Sequence, residues 1–295
     1  MTLSSLAPSD VTAAARLSAA VGWNQNEADW DRLIALQPDG VFAERDGDRL
    51  IGTATLMRYG HDLAWLGMVI VDKGRRGAGL GAALVDAALA AAPGVTIGLD
   101  ATHLGAPLYL RRGFKSAGTV ERWTGVLQPV SRAAGGGSSR RAYAADAAAL
   151  SAFDRQHAGV DRSRLLARLL TEPSTTVVVV EHSGPLGYAA LRRGREQLHV
   201  GPVVAGDVDS LAVVMNGVAS LTGGAPLFVD VPASGLSAAG APGQVTRDWP
   251  AAFGLQRART LTRMVRLSPS APHAPATPRL LVGPSLAAAT GLEWG

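Results

Sequence analysis

The sequence predicts an α/β protein of two tandem domains, each a mostly antiparallel mixed sheet with flanking helices. Three observations predict it. Strand-rich and helix-rich segments recur in the same order in both halves. Each half carries one Ala/Leu/Val-rich helix at the same place in that order. A polar, glycine-rich stretch, "QPVSRAAGGGSSRR" (128–141), separates the halves and reads as a flexible linker.

Taken in order, the first half opens with helices: Ser9 or Asp10 can cap "VTAAARLSAAV", and "NEADWDRLIAL" follows. The segment "FAERDGDRLIGTATLMRYGHDLAWLGMVIV" reads as three strands around turns. A helix from Ala82 to Ala92, a buried strand "VTIGLDAT", a Gly113-Phe114 corner and a last strand "TVERWTGVL" complete the half. The second half repeats this with "DAAALSAF", "DRSRLLARLL", "VVVVEHSGPLGYAALRRGREQLHVGPVVA", a helix from Asp209 to Leu221, "PLFVDVPA", a Gly254-Leu255 corner and "RTLTRMVRL". The expected organisation is a first domain over 1–130, a linker over 131–141, a second domain over 142–268 and a proline-rich tail over 269–295. The prolines of "SPSAPHAPATP" exclude helix and central strand there, while "RLLVGPSLAAATGLEW" is free to dock back onto a domain.

At 295 residues with 47% apolar and 18% charged side chains, each half can bury a core. There is no cysteine, which excludes a disulfide framework, a thiolate metal site and a thiol nucleophile. No metal is expected. The start of the chain lacks a basic region ahead of an apolar core, and the most apolar stretch, Gly79 to Ala92, is short and broken by Asp86. The expectation is a cytoplasmic protein with no membrane partner. The net charge of +4 comes from scattered arginines with few aromatics beside them. That pattern suits a small polyanion better than nucleic acid.

One loop suggests which polyanion. "VDKGRRGAGLGAALV" (71–85) joins an apolar strand to a helix through two arginines and four glycines. A P-loop needs Lys and Ser/Thr after the last glycine, and Ala82, Ala83 and Leu84 stand there instead. Gly77, Gly79 and Ala82 fit a dinucleotide fingerprint, with Asp100 as the ribose acid. Against it, Asp72 to Arg76 separate the strand from the first glycine, and the preceding strands read as antiparallel. What remains is Arg76-x-x-Gly79-x-Gly81 at a helix N-terminus, where outward amides and the helix dipole attract phosphate.

With "APLYLRRGFKSAG" (106–118), in which Tyr109 precedes a Gly-Phe corner by four residues, this loop resembles the GNAT superfamily of acetyl-CoA-dependent N-acetyltransferases. Segments such as "GWNQNEADW" (22–30), "LDATHLGAPLY" (99–109) and "VGPVVAGD" (200–207) extend the resemblance to tandem members with a degenerate second copy. The resemblance implies that acetyl-CoA is bound by backbone groups of Val69 and Val71 along its pantetheine arm. The amides of Arg76, Gly77, Ala78, Gly79, Leu80 and Gly81 would hold its pyrophosphate. Tyr109 would protonate the leaving thiolate. Arg111 and Arg112 read equally as added positive potential or as a solvated face.

The second copy departs from the pattern. "AGDVDS" places two carboxylates where the first copy has its glycines, and Pro250 takes the place of Tyr109, so this half should bind no acetyl-CoA. Its expected job is to wall the acceptor site or hold the fold together. For the acceptor, a primary amine of a small molecule or peptide, Trp23, Asn24 and Gln25 are candidate pocket residues, while Trp30 reads as core. Asp100, His103, Glu121 or a water relay are candidate bases. Arg162, His199 and Asp230 read first as structural groups, although Asp230 would select a cationic acceptor if it faced the cleft. Direct transfer in a ternary complex is the expected mechanism, and a homodimer is possible. A non-catalytic acyl-CoA-binding protein and a dinucleotide-dependent oxidoreductase are the alternatives.

Overall fold

The computed structural model describes residues 2–131, 137–232, 245–268 and 286–289. In the first half β1 (Thr2–Ser5) precedes helices α1 (Val11–Ala20) and α2 (Glu27–Leu36). Asn26 caps α2 through a reciprocal pair: its side chain accepts from the Asp29 amide, and Asp29 accepts from the Asn26 amide. Strands β2 (Val41–Asp46), β3 (Arg49–Tyr59) and β4 (Leu63–Val71) form an antiparallel meander. Helix α3 (Leu80–Ala91), β5 (Thr96–Ala101), α4 (Ala106–Leu110) and β6 (Lys115–Gly125) follow.

The second half repeats the order with β7 (Ser138–Arg141), α5 (Ala147–Ala158), α6 (Ser163–Thr171), β8 (Thr175–Glu181), β9 (Pro185–Arg193) and β10 (Leu198–Ala205). Helix α7 (Val208–Thr222), β11 (Leu227–Pro232), α8 (Trp249–Ala252) and β12 (Gln256–Arg266) complete it, and β13 (Leu286–Ala288) lies in the tail. Residues 138–141, read from the sequence as linker, instead form β7 on the edge of β8. The "GG" of the linker and much of the proline-rich tail lie outside the described residues. No described helix is long and apolar enough to cross a membrane.

The mixed α/β fold class holds, but the halves are interlocked. The strands form one sheet in the order β1-β2-β3-β4-β5-β12-β6-β11-β10-β9-β8-β7. The last strand of each half therefore completes the sheet of the other: β12 pairs with β5, and β6 pairs with β11, both antiparallel. Between them β6 and β12 pair in a two-fold register, with Arg122 opposite Arg259 and Gly118 opposite Arg263.

Period-2 alternation sorts the strand residues onto two faces. On one face Val177, Val179, Tyr188 and Ala190 join Met57, Trp65, Met68, Leu33 and Leu165 in a core shared by both halves beneath α1, α2, α5 and α6. On the other, α3 and α4 cover Leu56, Leu66, Ile97 and Leu99. There α7 covers Val178, Val180, Val203 and Val229. A buried polar network stitches the halves: Arg32 of α2 bonds Asp29 at 2.9 Å and Glu172 beyond α6, and Arg192 of β9 reaches the same Asp29 at 2.9 Å.

Candidate active site

The site begins where two strands part. Parallel pairing between β4 and β5 covers only Leu63–Trp65 against Thr96–Gly98. Beyond it β4 runs on to Val71 with its β5-facing edge open. A bulge opposite Ala54 turns the strand there, and Met68 takes a positive φ of 48°. The opening is a cleft of about 690 Å³ lined by Val69, Val71, the glycine loop, Tyr109 and Leu261.

At the mouth of the cleft, the loop after β4 is held from behind. The Asp72 carboxylate accepts from the Gly74 amide at 2.9 Å and from Arg49 at 2.6 Å. The first of these bonds, with Arg49 in support, holds the acid below the usual carboxylate range. Arg75 bonds Asp46, and Arg76 donates to the Val71 carbonyl at 3.3 Å. Gly77 and Gly79 take φ of +84° and +80°, and nothing lies within 4 Å of where a side chain would start at either. Gly79 is the N-cap of α3, and the helix opens with Leu80, Gly81 and Ala82. The amides of that first turn have no acceptor within the helix, and its residues line the cleft. Donors without acceptors, a bare glycine surface and a helix dipole fit a pyrophosphate.

Tyr109 lies on α4, is 8% exposed and lines the same cleft. Its ring meets Phe114 edge to face, 5.9 Å between centroids. Its hydroxyl has no hydrogen-bond partner among the described residues, and burial pushes the phenol above its ordinary range. Arg111 lines the cleft, whereas Arg112 is held by Asp86 at 2.6 and 2.8 Å.

Several acceptor-side expectations are corrected. Asp100 lines the cleft, but both its carboxylate oxygens accept from Arg263 at 2.8 Å and both side chains are 0% exposed, an engagement that argues against a free base or a ribose acid there. Burial outweighs that arginine and raises its pKa. The dinucleotide reading loses its ribose contact with it. Asp230 does not offer a charge to a cationic acceptor, because Arg122 takes both its oxygens at 2.8 and 2.7 Å. These two pairs are counterparts: in each, a strand aspartate of one half is neutralised by an arginine on the strand received from the other. Asn24 is tied to the β9–β10 turn, donating to the Gln197 carbonyl at 2.9 Å and accepting from the amides of Glu196 and Gln197. It lines a pocket, with both polar atoms of its side chain already engaged by that turn. Trp23 and Gln25 line that pocket, and Trp23 also lines the cleft. Glu121 accepts from Arg257 at 3.0 Å and is not among the cleft-lining residues, and His103 is exposed on the turn before α4.

Arg162 is structural, buried against Asp154 and Tyr188. His199 is buried and accepts from Arg192 at 2.6 Å through Nδ1, stacked on Phe228 at 4.5 Å. What the sequence reading missed is Arg259, Arg122 and Phe228 around the smaller pocket beside the cleft. The only signal was the repeat itself, because β12 reaches the first half's cleft through strand exchange.

The second half lacks each feature of the first. The bulges of β4 and β10 align Ile70 with Val203. At Val203 and Val204 the open edge of β10 is taken by β13, and the Ala289 amide donates to the Asp230 carbonyl at 2.7 Å. The start of α7 is capped by the chain's own carboxylate, since Asp207 accepts from the Ser210 amide at 2.7 Å. At the corner, the Leu255 amide bonds the Pro250 carbonyl as the Phe114 amide bonds that of Tyr109, so a proline stands in the tyrosine's place.

Models of the acetyltransferase (GNAT) domain match residues 37–116 and 150–277. The chain is 29% identical over 226 residues to the uncharacterized N-acetyltransferase YitH of Bacillus subtilis (strain 168), covering 75% of this chain and 79% of that protein. A Pyrococcus horikoshii protein solved as a candidate acetyltransferase aligns with a TM-score of 0.78 at 17% identity, covering 100% of this chain and 95% of that one. A tandem GNAT protein from the clavulanic acid biosynthesis pathway aligns at 0.60 with 14% identity, covering 90% and 98%. At these identities the solved structures speak for the fold.

Proposed function

Because the chain belongs to the GNAT acetyltransferases and carries two such domains in tandem, we propose that this acyltransferase moves an acetyl group from acetyl-CoA to a primary amine at the first half's cleft. One observation carries the reading: the amide-lined loop, the open edge of β4 and the partnerless hydroxyl of Tyr109 all line one cleft. The loop from Arg76 to Gly81 suits the pyrophosphate, Val69 and Val71 offer backbone groups to the pantetheine arm, and Tyr109 faces the thioester.

The chemistry is direct. The neutral amine nitrogen attacks the thioester carbonyl, the carbon–sulfur bond breaks, and the sulfur takes the proton of the Tyr109 hydroxyl. The nitrogen loses a proton to water, which restores the phenol over the cycle. Burial of Tyr109 suits this role, because it keeps the hydroxyl protonated across the neutral range. With Asp100 paired and Glu121 outside the cleft, a water relay is the base this arrangement favours.

Calorimetry with acetyl-CoA and thiol release over a panel of amines test the proposal. One binding site per chain and amine-dependent thiol release are expected. Two equivalent sites, or binding with no amine-dependent release, would overturn it.

A further inference from the structure

Beside the cleft, at the seam of the halves, lies a smaller cavity of about 160 Å³ that shares Trp23 and Arg259 with it as walls. A row of side chains crosses three neighbouring strands there: Asp230 on β11 stands opposite Arg122 on β6, and Arg122 stands opposite Arg259 on β12. The charges in this row do not balance. Both carboxylate oxygens of Asp230 are engaged by Arg122, whose guanidinium carbon sits over the Phe228 ring, 3.9 Å from its centroid. Glu196, the other acid lining the cavity, is bonded by Arg195 at 2.7 Å.

Arg259 has neither ion-pair nor hydrogen-bond partner among the described residues. Like charges directly opposite on paired strands are unfavourable. Arg259 is an exposed residue of β12 whose side chain lines the cavity, and partial desolvation first and Arg122 second lower its guanidinium pKa while Asp230 raises it. An anion between the two guanidinium groups relieves both effects. The two-fold register places Gly118 at the counterpart position facing the second half, so only the first half's cleft has this arginine.

We infer that this cavity receives the carboxylate of the acceptor and that Arg259 reads it. The acceptor class is then a primary amine of amino-acid size bearing a carboxylate, a refinement that rests on the acetyl-transfer reading above. Trp23 supplies an apolar wall for the acceptor's carbon frame, while Phe228, covered by Arg122 and His199, backs the cavity floor; the shared wall at Arg259 joins this cavity to the cleft that Tyr109 lines.

The test compares thiol release from acetyl-CoA with L-leucine, L-phenylalanine and L-glutamate, with the amides of the same amino acids, and with putrescine. The parent is expected to favour each amino acid over its amide in kcat/KM by about tenfold to a hundredfold, the range for one charge-assisted contact. Arg259→Gln should collapse that ratio toward one, and Arg259→Glu should move preference to putrescine. A parent that favours amides or putrescine, or a ratio that survives Arg259→Gln, overturns the inference while leaving acetyl transfer standing. If acetyl-CoA binds but no amine is acetylated, calorimetry of L-phenylalanine on the coenzyme A complex decides separately. Binding lost in Arg259→Gln supports the carboxylate site although transfer fails, and no binding to the parent overturns it.

Discussion

Replacing Tyr109 by phenylalanine isolates one proton. The ring sits 8% exposed against Phe114, and its hydroxyl bonds no described residue, so Tyr109→Phe keeps the packing and leaves no orphaned partner. Stability should stay within about 0.5 kcal/mol of the parent. Acetyl-CoA affinity should change little, because the loop and β4 are untouched. Turnover should fall by about a hundredfold to ten-thousandfold, the usual contribution of a positioned acid, or about 3 to 5 kcal/mol of barrier.

The pH dependence adds a second check. Because burial raises the phenol above its ordinary value of 10.0, the parent loses no activity to Tyr109 ionisation below that pH. The variant must expel the sulfur as an unprotonated thiolate, a step that takes up no proton and so does not depend on bulk pH. The deficit therefore stays constant while the parent's phenol remains protonated. Steady-state turnover from pH 6 to 9.5 on any active amine, with calorimetry for acetyl-CoA, reads both. A phenylalanine variant within about threefold of the parent at every pH would refute the acid role.

Three further expectations follow from other parts of the structure. Gly79→Glu places a side chain at φ +80° in open space, so it should fold with a loss of about 1–2 kcal/mol yet weaken acetyl-CoA about tenfold or more, by charge at the phosphate end. Parent-like affinity in calorimetry would remove the loop from the site. Residues 1–130 expressed alone lack β12, which leaves Asp100 without Arg263, and removal of one partner from a buried pair costs about 3–5 kcal/mol. That fragment should fail to melt cooperatively as a monomer and should be rescued by co-expression with 137–295; a stable, acetyl-CoA-binding monomer would contradict the strand exchange. Burial first, then Arg192, Arg122 and Arg32, hold the His199 imidazole well below 6.5. Only the unfolded chain gains a proton just below that pH, so stability should fall as pH drops under 6.5, by up to about 1.4 kcal/mol per unit. Denaturant midpoints between pH 7 and 5 should fall less steeply for His199→Gln, and equal slopes would exclude His199 as the cause.

The parts legible in the sequence were those with local physical causes. The loop proposed for the pyrophosphate was readable because phosphate binding needs glycines, amides and a helix start within a few consecutive residues, and all lie between Arg76 and Ala82. The degenerate second copy was readable for the same reason, since Asp207 sits where it can cap its own helix and Pro250 stands where the tyrosine belongs. The Trp30 core position followed from its place on a helix face, and the repeat from the order of strands and helices.

Partner identities across the halves had no such local cause. Asp100 was a candidate base, and Asp230, read first as structural, a conditional contact for a cationic acceptor; the arginines that engage them lie 163 and 108 residues away and could not be named from the sequence. Asn24 does line a pocket, as its loop suggested, but its polar atoms are engaged by the turn at Gln197, 173 residues on. Periodicity and motif spacing report which face of an element is buried. They do not report which strand lies beside it once two similar sheets exchange their last strands. The sequence by itself therefore determined the repeat, and it singled out the glycine loop and the tyrosine that line one cleft. Only the tertiary structure decided which aspartates were already paired and that an arginine from the second half stands at the first half's site, because those depend on strand order in space.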